Sequence, residues 1–135
     1  MKLNTDRIHE RLAALAEIGK THDGGSCRIA LTEDDIKGRD LLVSWMKETG
    51  LEVEIDKIGN IFGFLRGTKS GTPIMMGSHI DTVGNGGHLD GCYGVISALE
   101  ILATYAEEDE VPAHDLCVAI FTNEEGVRFQ PDMLG

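Results

Sequence analysis

Two short apolar stretches decide the fold: residues 74–76 (IMM) and residues 116–121 (LCVAIF). Each has the composition of a buried strand. Between them, apolar residues recur at the spacing of one helix face, which predicts a helix over residues 93–106: Val95, Leu99 and Leu102. A helical crossover between two strands predicts a βαβ unit, with its strands parallel and central in a sheet.

The chain before residue 74 predicts two further helices and two further strands. The first helix has its apolar residues at helical spacing behind a possible cap at Thr5. The second is predicted from a capping box at residues 32–35 to about residue 49. Strands are predicted at residues 51–56, where apolar and acidic residues alternate, and at residues 60–66. Helices and strands in this order predict an α/β layer structure.

The composition predicts a soluble, acidic protein. Of its 135 residues, 12 are Lys or Arg and 23 are Asp or Glu, which gives a formal net charge of −11. Nucleic acids and anionic membranes select for basic residues, so neither is an expected partner. The sequence shows no signal peptide and no apolar run of the roughly 20 residues that a membrane helix needs. Because the three cysteines also lack a paired spacing, a reduced, cytoplasmic location is expected.

Polar residues follow both apolar strands at the point where each strand ends. His79 and Asp81 come directly after the first strand, and Asp90 lies just before the crossover helix. Glu124 and Glu125 follow the second strand. In α/β sheets, ligands bind just beyond the carboxyl ends of the strands. We therefore expect one imidazole and four carboxylates to meet at one rim of the sheet.

Each of these residue types has a role at a metal site. His79 and Asp81 point to the same side of an extended chain, so Asp81 is placed to orient the imidazole. The two oxygens of Asp90 can bridge two cations. Glu124 and Glu125 are consecutive and cannot both point the same way. One of them can bind a metal while the other faces the bound water as a general base.

Each residue taken singly also has a simpler interpretation. A lone His at a strand end is commonly structural, and a lone Glu-Glu pair is commonly solvated. Crowded carboxylates, however, repel one another unless protons or cations neutralise them, so the set together favours a metal site. Three neighbours have weaker claims. His88 is expected in a loop, Cys92 as a packing residue rather than a thiolate, and Arg128 as part of a pocket wall or paired with a carboxylate.

Several motifs resemble the M20 metallopeptidase superfamily, in its amidase, hydantoinase and carbamoylase branch. That branch includes N-carbamoyl-L-amino acid hydrolases, allantoate amidohydrolases and ureidoglycolate amidohydrolases. The likeness covers nearly the whole chain. It is carried by residues 24–32 (GGSCRIALT), 58–63 (IGNIFG), 77–83 (GSHIDTV), 85–87 (NGG), 90–91 (DG) and 121–129 (FTNEEGVRF).

The resemblance implies a role for each site residue. His79 is implied to bind one metal and Glu125 the other, with Asp90 bridging both. Glu124 matches the general base of the family, and Asp81 matches the carboxylate that orients the His. The implied cofactors are two divalent metal ions, zinc or manganese and sometimes cobalt.

The resemblance also implies the fold and its extent. The expected fold is α/β, part of a three-layer zinc-peptidase-like catalytic domain with a mixed, largely parallel central sheet between helices. Residues 1–135 would form the N-terminal portion of that domain, without its C-terminal part and without the lid and dimerisation domain. The peptide between Asp90 and Gly91 is expected to be cis, as is common in the superfamily.

The function implied by the resemblance is metal-dependent hydrolysis of a C–N bond in an N-carbamoyl amino acid or a ureido compound such as allantoate. A small-molecule substrate and a full-length homodimer are expected, whereas the fragment alone is expected to be inactive. Two alternatives remain open. One is a non-enzymatic remnant that acts as a binding or assembly module through exposed sheet edges. The other is an aminopeptidase of the same superfamily.

Overall fold

The computed structural model describes residues 2–135, which form three helices and four strands. None of these helices is long and apolar enough to cross a membrane. In chain order, the elements are α1 (Thr5–Ala16), α2 (Glu33–Glu48), β1 (Glu52–Ile55), β2 (Ile61–Leu65), β3 (Ile74–His79), α3 (Cys92–Glu107) and β4 (Leu116–Phe121).

The helix starts follow from local capping. Thr32 caps α2 as the capping box predicts, because its side-chain oxygen accepts the N–H of Asp35. The predicted cap of α1 was wrong by one residue. Asn4, not Thr5, lies in the extended conformation before the helix and accepts the N–H of Arg7 at 3.1 Å. An amide oxygen in this position satisfies a free N–H of the first turn, so the helix begins at Thr5.

The four strands form one mixed sheet in the order β1-β2-β4-β3. β1 and β2 are antiparallel because a short turn joins them, and β2 is also antiparallel to β4. β3 and β4 are parallel, with α3 as the crossover between them. The α/β class, the mixed sheet and the βαβ unit are therefore confirmed, but only one of the three pairings within residues 2–135 is parallel.

β3 departs from the prediction that it lies in the centre of the sheet. Within residues 2–135 it is an edge strand, and its first residues Ile74 and Met75 are 53% and 48% exposed. β4, by contrast, pairs on both sides and is buried from Leu116 to Ile120. Apolar composition alone does not distinguish a strand with two neighbours from a strand with one, because both kinds have apolar residues on a packed face.

The apolar core lies on one face of the sheet. Alternate residues of β4, namely Leu116, Val118 and Ile120, join Ile61 of β2 in a single cluster with side chains of all three helices. The opposite face carries half-buried Phe62 and Phe64 and the exposed Met75. Residues 2–135 thus form two layers, and no helix of this part of the chain covers the other face of the expected three-layer domain.

Gly77 marks a close approach between β3 and β4. A Cβ atom at this position would lie 2.0 Å from the carbonyl oxygen of Ala119, its partner in the parallel register. Gly84, in the loop that follows β3, has nothing within 4 Å of an added Cβ. Of these two glycines, only Gly77 is therefore required by packing.

We expect Gly77→Ala to destabilise the chain by about 1–3 kcal/mol, because the strands must separate to admit the methyl group. Urea unfolding followed by circular dichroism measures this change. Gly84→Ala is the matched control and should stay within about 0.5 kcal/mol of the parent. Equal unfolding midpoints for both variants would contradict this account of the β3–β4 contact.

Candidate metal centre

The candidate site lies at the rim where β3 and β4 both end. The parallel register places His79 directly beside Phe121, so the two chains leave the sheet side by side. The first residues of α3 lie at the same rim, because a Cβ atom on Gly91 would be 2.6 Å from the His79 ring. The two strand ends therefore share one rim, as the predicted parallel βαβ unit requires.

Three side chains converge at the centre of this rim. His79, Glu124 and Glu125 each offer one ligand atom, and these atoms all lie within 4.8 Å of one another. Nε2 of His79 is 3.3 Å from Oε2 of Glu124. The imidazole is buried, whereas both glutamates are half-buried and reachable from solvent. One nitrogen and several carboxylate oxygens form a donor set that suits zinc or manganese.

The hydrogen bond of the His79 ring indicates which nitrogen faces the cluster. Nδ1 lies 2.9 Å from the backbone carbonyl oxygen of Asp81. A carbonyl accepts only, so the bond requires the proton on Nδ1 and leaves a lone pair on Nε2 in the neutral ring. That lone pair faces the carboxylate of Glu124. Two acceptors this close repel each other unless a proton or a cation lies between them.

Asp81 reaches the site in a way that the sequence did not predict. Its carboxylate is 3.8 Å from Nδ1 of His79, so the backbone carbonyl is the nearer oxygen. The carboxylate instead accepts the backbone N–H groups of Glu124 and Glu125 at 3.2 and 3.1 Å. Through these two hydrogen bonds, the buried Asp81 holds the segment that carries both glutamates. The proposed orienting role of its carboxylate toward the imidazole stays a prediction.

Asp90 is exposed and lies outside the group of three converging side chains. The expectation of a cis peptide between Asp90 and Gly91 was wrong, since the one cis peptide within residues 2–135 is Gln130–Pro131. Gly91 instead turns the chain with a φ of 63°, and its missing Cβ leaves room for the His79 ring. The unusual geometry expected here therefore lies in the backbone torsions of the glycine.

The electrostatics of the cluster favour a bound cation. Burial raises the pKa of Glu125, and the nearby charges of Asp90, Glu124 and Asp81 raise it further. His79 acts in the opposite direction but does not cancel the shift. Four acidic groups thus influence one another here, although Asp90 is not in the central group. A divalent ion would relieve this repulsion, so the residues present fit the metal that the sequence predicts.

Two weaker sequence candidates have other roles. Among the described residues, Arg128 pairs with no carboxylate. It donates to the carbonyl of Leu31 at 2.7 Å, and its guanidinium lies 5.3 Å from the ring centre of Phe129. Cys92 is buried, and burial raises the pKa of its thiol, which opposes a thiolate nucleophile. The packing role predicted for Cys92 is therefore favoured.

Sequence analysis missed the contribution of Asn123, the residue before the two glutamates. Asn123 is fully buried and has a φ of 55°, a left-handed conformation that Asn adopts more readily than most residues. Its side-chain amide donates to the carbonyl of Phe129 at 2.9 Å. The left-handed turn lies between the end of β4 and the two glutamates. An Asn two residues after an apolar strand was the available signal.

We expect Glu125→Gln to stabilise the metal-free chain at neutral pH. Because the pKa of Glu125 is raised on folding, the folded chain holds this proton at pH values where the unfolded chain has lost it. The protonated Glu125 side chain therefore stabilises the folded chain at low pH. This stabilisation is lost as the pH rises through the pKa that Glu125 has in the folded chain. The advantage of the uncharged Gln should therefore grow from about pH 4 to about pH 7.

Thermal unfolding of both chains with a chelator, across this pH range, measures the difference. Glu10→Gln is the matched control, since Glu10 is an exposed residue of α1 outside the cluster. A constant difference between parent and Glu125→Gln at every pH would contradict the raised pKa.

Comparison with known proteins places these features in a family. The model of peptidase family M28 matches residues 60–130, which include β2, β3, α3, β4 and all five predicted site residues. An N-carbamoyl-L-amino acid amidohydrolase of Geobacillus stearothermophilus is 40% identical over 131 residues, covering 96% of this chain and 32% of the relative. An allantoate amidohydrolase of Bacillus subtilis is 40% identical over 123 residues, covering 90% of this chain and 30% of the relative.

A solved structure shows the same fold. The hydantoinase/carbamoylase family amidase of Burkholderia ambifaria superposes with a TM-score of 0.97 at 41% identity, over 99% of this chain and 33% of that one. This chain thus spans about a third of the length of its relatives. The resemblance to the amidase, hydantoinase and carbamoylase branch is confirmed, although the matching family model is that of M28 rather than M20. The family and the cluster of His79 with two glutamates both point to a divalent metal, and the chain belongs to peptidase family M28.

Proposed function

We propose that this chain supplies part of the catalytic site of a metal-dependent amidohydrolase. The reaction is hydrolysis of a C–N bond in an N-carbamoyl amino acid or in a ureido compound such as allantoate. The observation that carries the proposal is the 3.3 Å approach of Nε2 of His79 to Oε2 of Glu124, beside Glu125. The substrate class is supported by the relatives, two of which act on N-carbamoyl-L-amino acids and allantoate respectively.

The proposed cofactors are two divalent ions, zinc or manganese with cobalt as a possible substitute. Nε2 of His79 would hold one ion, a carboxylate oxygen of Glu125 would hold the other, and Asp90 would bridge them. Such ions supply a polarised carbonyl and a water of lowered pKa. The exposed position of Asp90 at the start of α3 is consistent with a ligand that faces the open side of the rim.

Glu124 is the proposed general base. Its half-buried carboxylate lies at the cluster but remains accessible to water. In the proposed reaction, Oε2 of Glu124 takes a proton from the attacking water and later delivers it to the leaving nitrogen. Asp81 supports this role by accepting the N–H groups of Glu124 and Glu125, which fixes the backbone of the residue that transfers the proton.

We further propose that residues 1–135 act as the N-terminal portion of a longer catalytic domain. The relatives are about three times as long, so substrate-binding and dimer contacts would come from the remaining length. The proposed assembly is a homodimer in the cytoplasm, with a small molecule as its substrate. The net charge of −11 disfavours nucleic acid or an anionic membrane as a partner.

Two observations keep other functions open to test. The exposed Ile74 and Met75 on β3, which has one strand neighbour within residues 2–135, favour an assembly module, since an open strand edge can pair with another chain. The name of the matching family favours a peptidase. A panel of N-carbamoyl amino acids, allantoate and dipeptides distinguishes the amidohydrolase from the peptidase. Stable oligomers without metal would favour the assembly module.

The catalytic proposal predicts the effect of Glu124→Gln. Residues 1–135 would replace the corresponding third of the Geobacillus stearothermophilus relative, and ammonia release from N-carbamoyl amino acids would be measured with added manganese. Glu124→Gln should lower kcat by about 10²–10⁴-fold, because a neutral amide cannot take a proton. Residues 1–135 without the remaining two thirds should show little or no turnover.

Glu17→Gln serves as the control, since Glu17 is an exposed residue just after α1 and pairs with Lys20. It should retain the parental kcat. Near-parental turnover of the Glu124→Gln chimera would reject the assignment of the base. Robust turnover by the 135 residues alone would reject the proposal that the site is partial.

A further inference from the structure

Arg28 is fully buried and pairs with no carboxylate within residues 2–135. Its guanidinium donates to neutral acceptors instead. Nη1 donates to the carbonyls of Leu15 and Ile18, at 3.1 and 2.7 Å, where α1 ends. Nη2 donates to Sγ of Cys92 at 3.2 Å, and Nε donates to the carbonyl of Ile80 at 2.9 Å. One side chain therefore connects the end of α1, the start of α3 and the segment that leaves β3.

Simple packing does not account for this arginine. A buried charge without an ionic partner is costly, and an apolar side chain would fill the same volume without that cost. α2 also makes room for Arg28, since a Cβ atom on Gly38 would lie 2.9 Å from its Cδ. A glycine inside a helix is itself unfavourable. The buried guanidinium of Arg28 and the helical Gly38 are therefore both unfavourable for stability, which suggests a role for Arg28 other than packing.

The contacts of Arg28 fall on two consecutive peptide groups beside His79. In the first group, the carbonyl of Ile80 accepts the side chain of Arg28. In the second group, the N–H of Thr82 donates to the backbone carbonyl of Arg28 at 3.0 Å. The other end of that second group is the carbonyl of Asp81, which accepts the ring Nδ1 of His79 at 2.9 Å.

We propose that Arg28 is a positioning residue for His79. By holding the two peptide groups on either side of Asp81, it keeps the Asp81 carbonyl aimed at Nδ1 of the ring. The proton then stays on Nδ1, and the lone pair of Nε2 stays directed at the cluster. The consequence for metal binding rests on the proposed function, whereas the tautomer itself does not.

Nitrogen-15 NMR of the metal-free chain with a chelator tests this inference, with His79→Gln used to assign the ring signals. At about pH 8, the parent His79 should be a single tautomer with its proton on Nδ1. Arg28→Met keeps the length of the side chain and removes its side-chain donors, including the bond to the carbonyl of Ile80, whereas the backbone bond from Thr82 remains. It should shift the tautomer ratio by about tenfold toward the other nitrogen, the size expected when one hydrogen bond loses its alignment.

Arg7→Met is the matched control for lost stability. Arg7 pairs with the buried Glu100 and ties α1 to α3 away from the site, so its removal should destabilise the chain and leave the His79 tautomer unchanged. If Arg28→Met does not fold, Arg28→Lys is measured in the same way, because an ammonium cannot reproduce the planar set of donors.

An unshifted tautomer in a folded Arg28 variant would overturn the proposal. So would an equal shift in Arg7→Met, or a parent ring without its proton on Nδ1. A shifted tautomer in a chain that binds no zinc would support the positioning role and count against the proposed function alone.

Discussion

Nε2 of His79 and the carboxylate of Glu124 lie 3.3 Å apart, and the rest of the rim is arranged around this contact. Both groups are acceptors when the proton of the ring is on Nδ1, so their approach is unfavourable without a positive charge between them. The parallel pairing of β3 with β4 brings the two chain segments together, and the carboxylate of Asp81 holds the second segment by its N–H groups. The geometry therefore holds an imidazole nitrogen and a carboxylate oxygen close together, and in the neutral ring this is the arrangement expected of a site prepared for a cation.

Much of this arrangement could be predicted from sequence, because it depends on local patterns. The apolar run ending at Phe121 and the helical spacing behind Gly91 are properties of neighbouring residues, and they define a βαβ unit. Once the two strands are parallel, their ends must share a rim. The meeting of His79 with Glu124 and Glu125 follows from that topology, without any knowledge of side-chain contacts.

The features that sequence did not predict depend on contacts between distant segments. The edge position of β3 is decided by which strands lie beside it, and a strand's own composition does not record its neighbours. Asp81 was expected to face the imidazole because the two residues are close in sequence, yet its oxygens bond to N–H groups 43 and 44 residues away. Arg28 is likewise distant in sequence from the site it contacts. Its burial could not be predicted, because arginines in folded proteins are mostly exposed.

The central claim is that divalent ions lie at this rim, one held by His79 and the other by Glu125. Anomalous diffraction from crystals of the chain soaked in zinc tests it directly. We predict one anomalous peak about 2.0–2.2 Å from Nε2 of His79 and a second at a similar distance from a carboxylate oxygen of Glu125. A map without a peak at this rim, with Nε2 of His79 donating a proton to Glu124 instead, would contradict it.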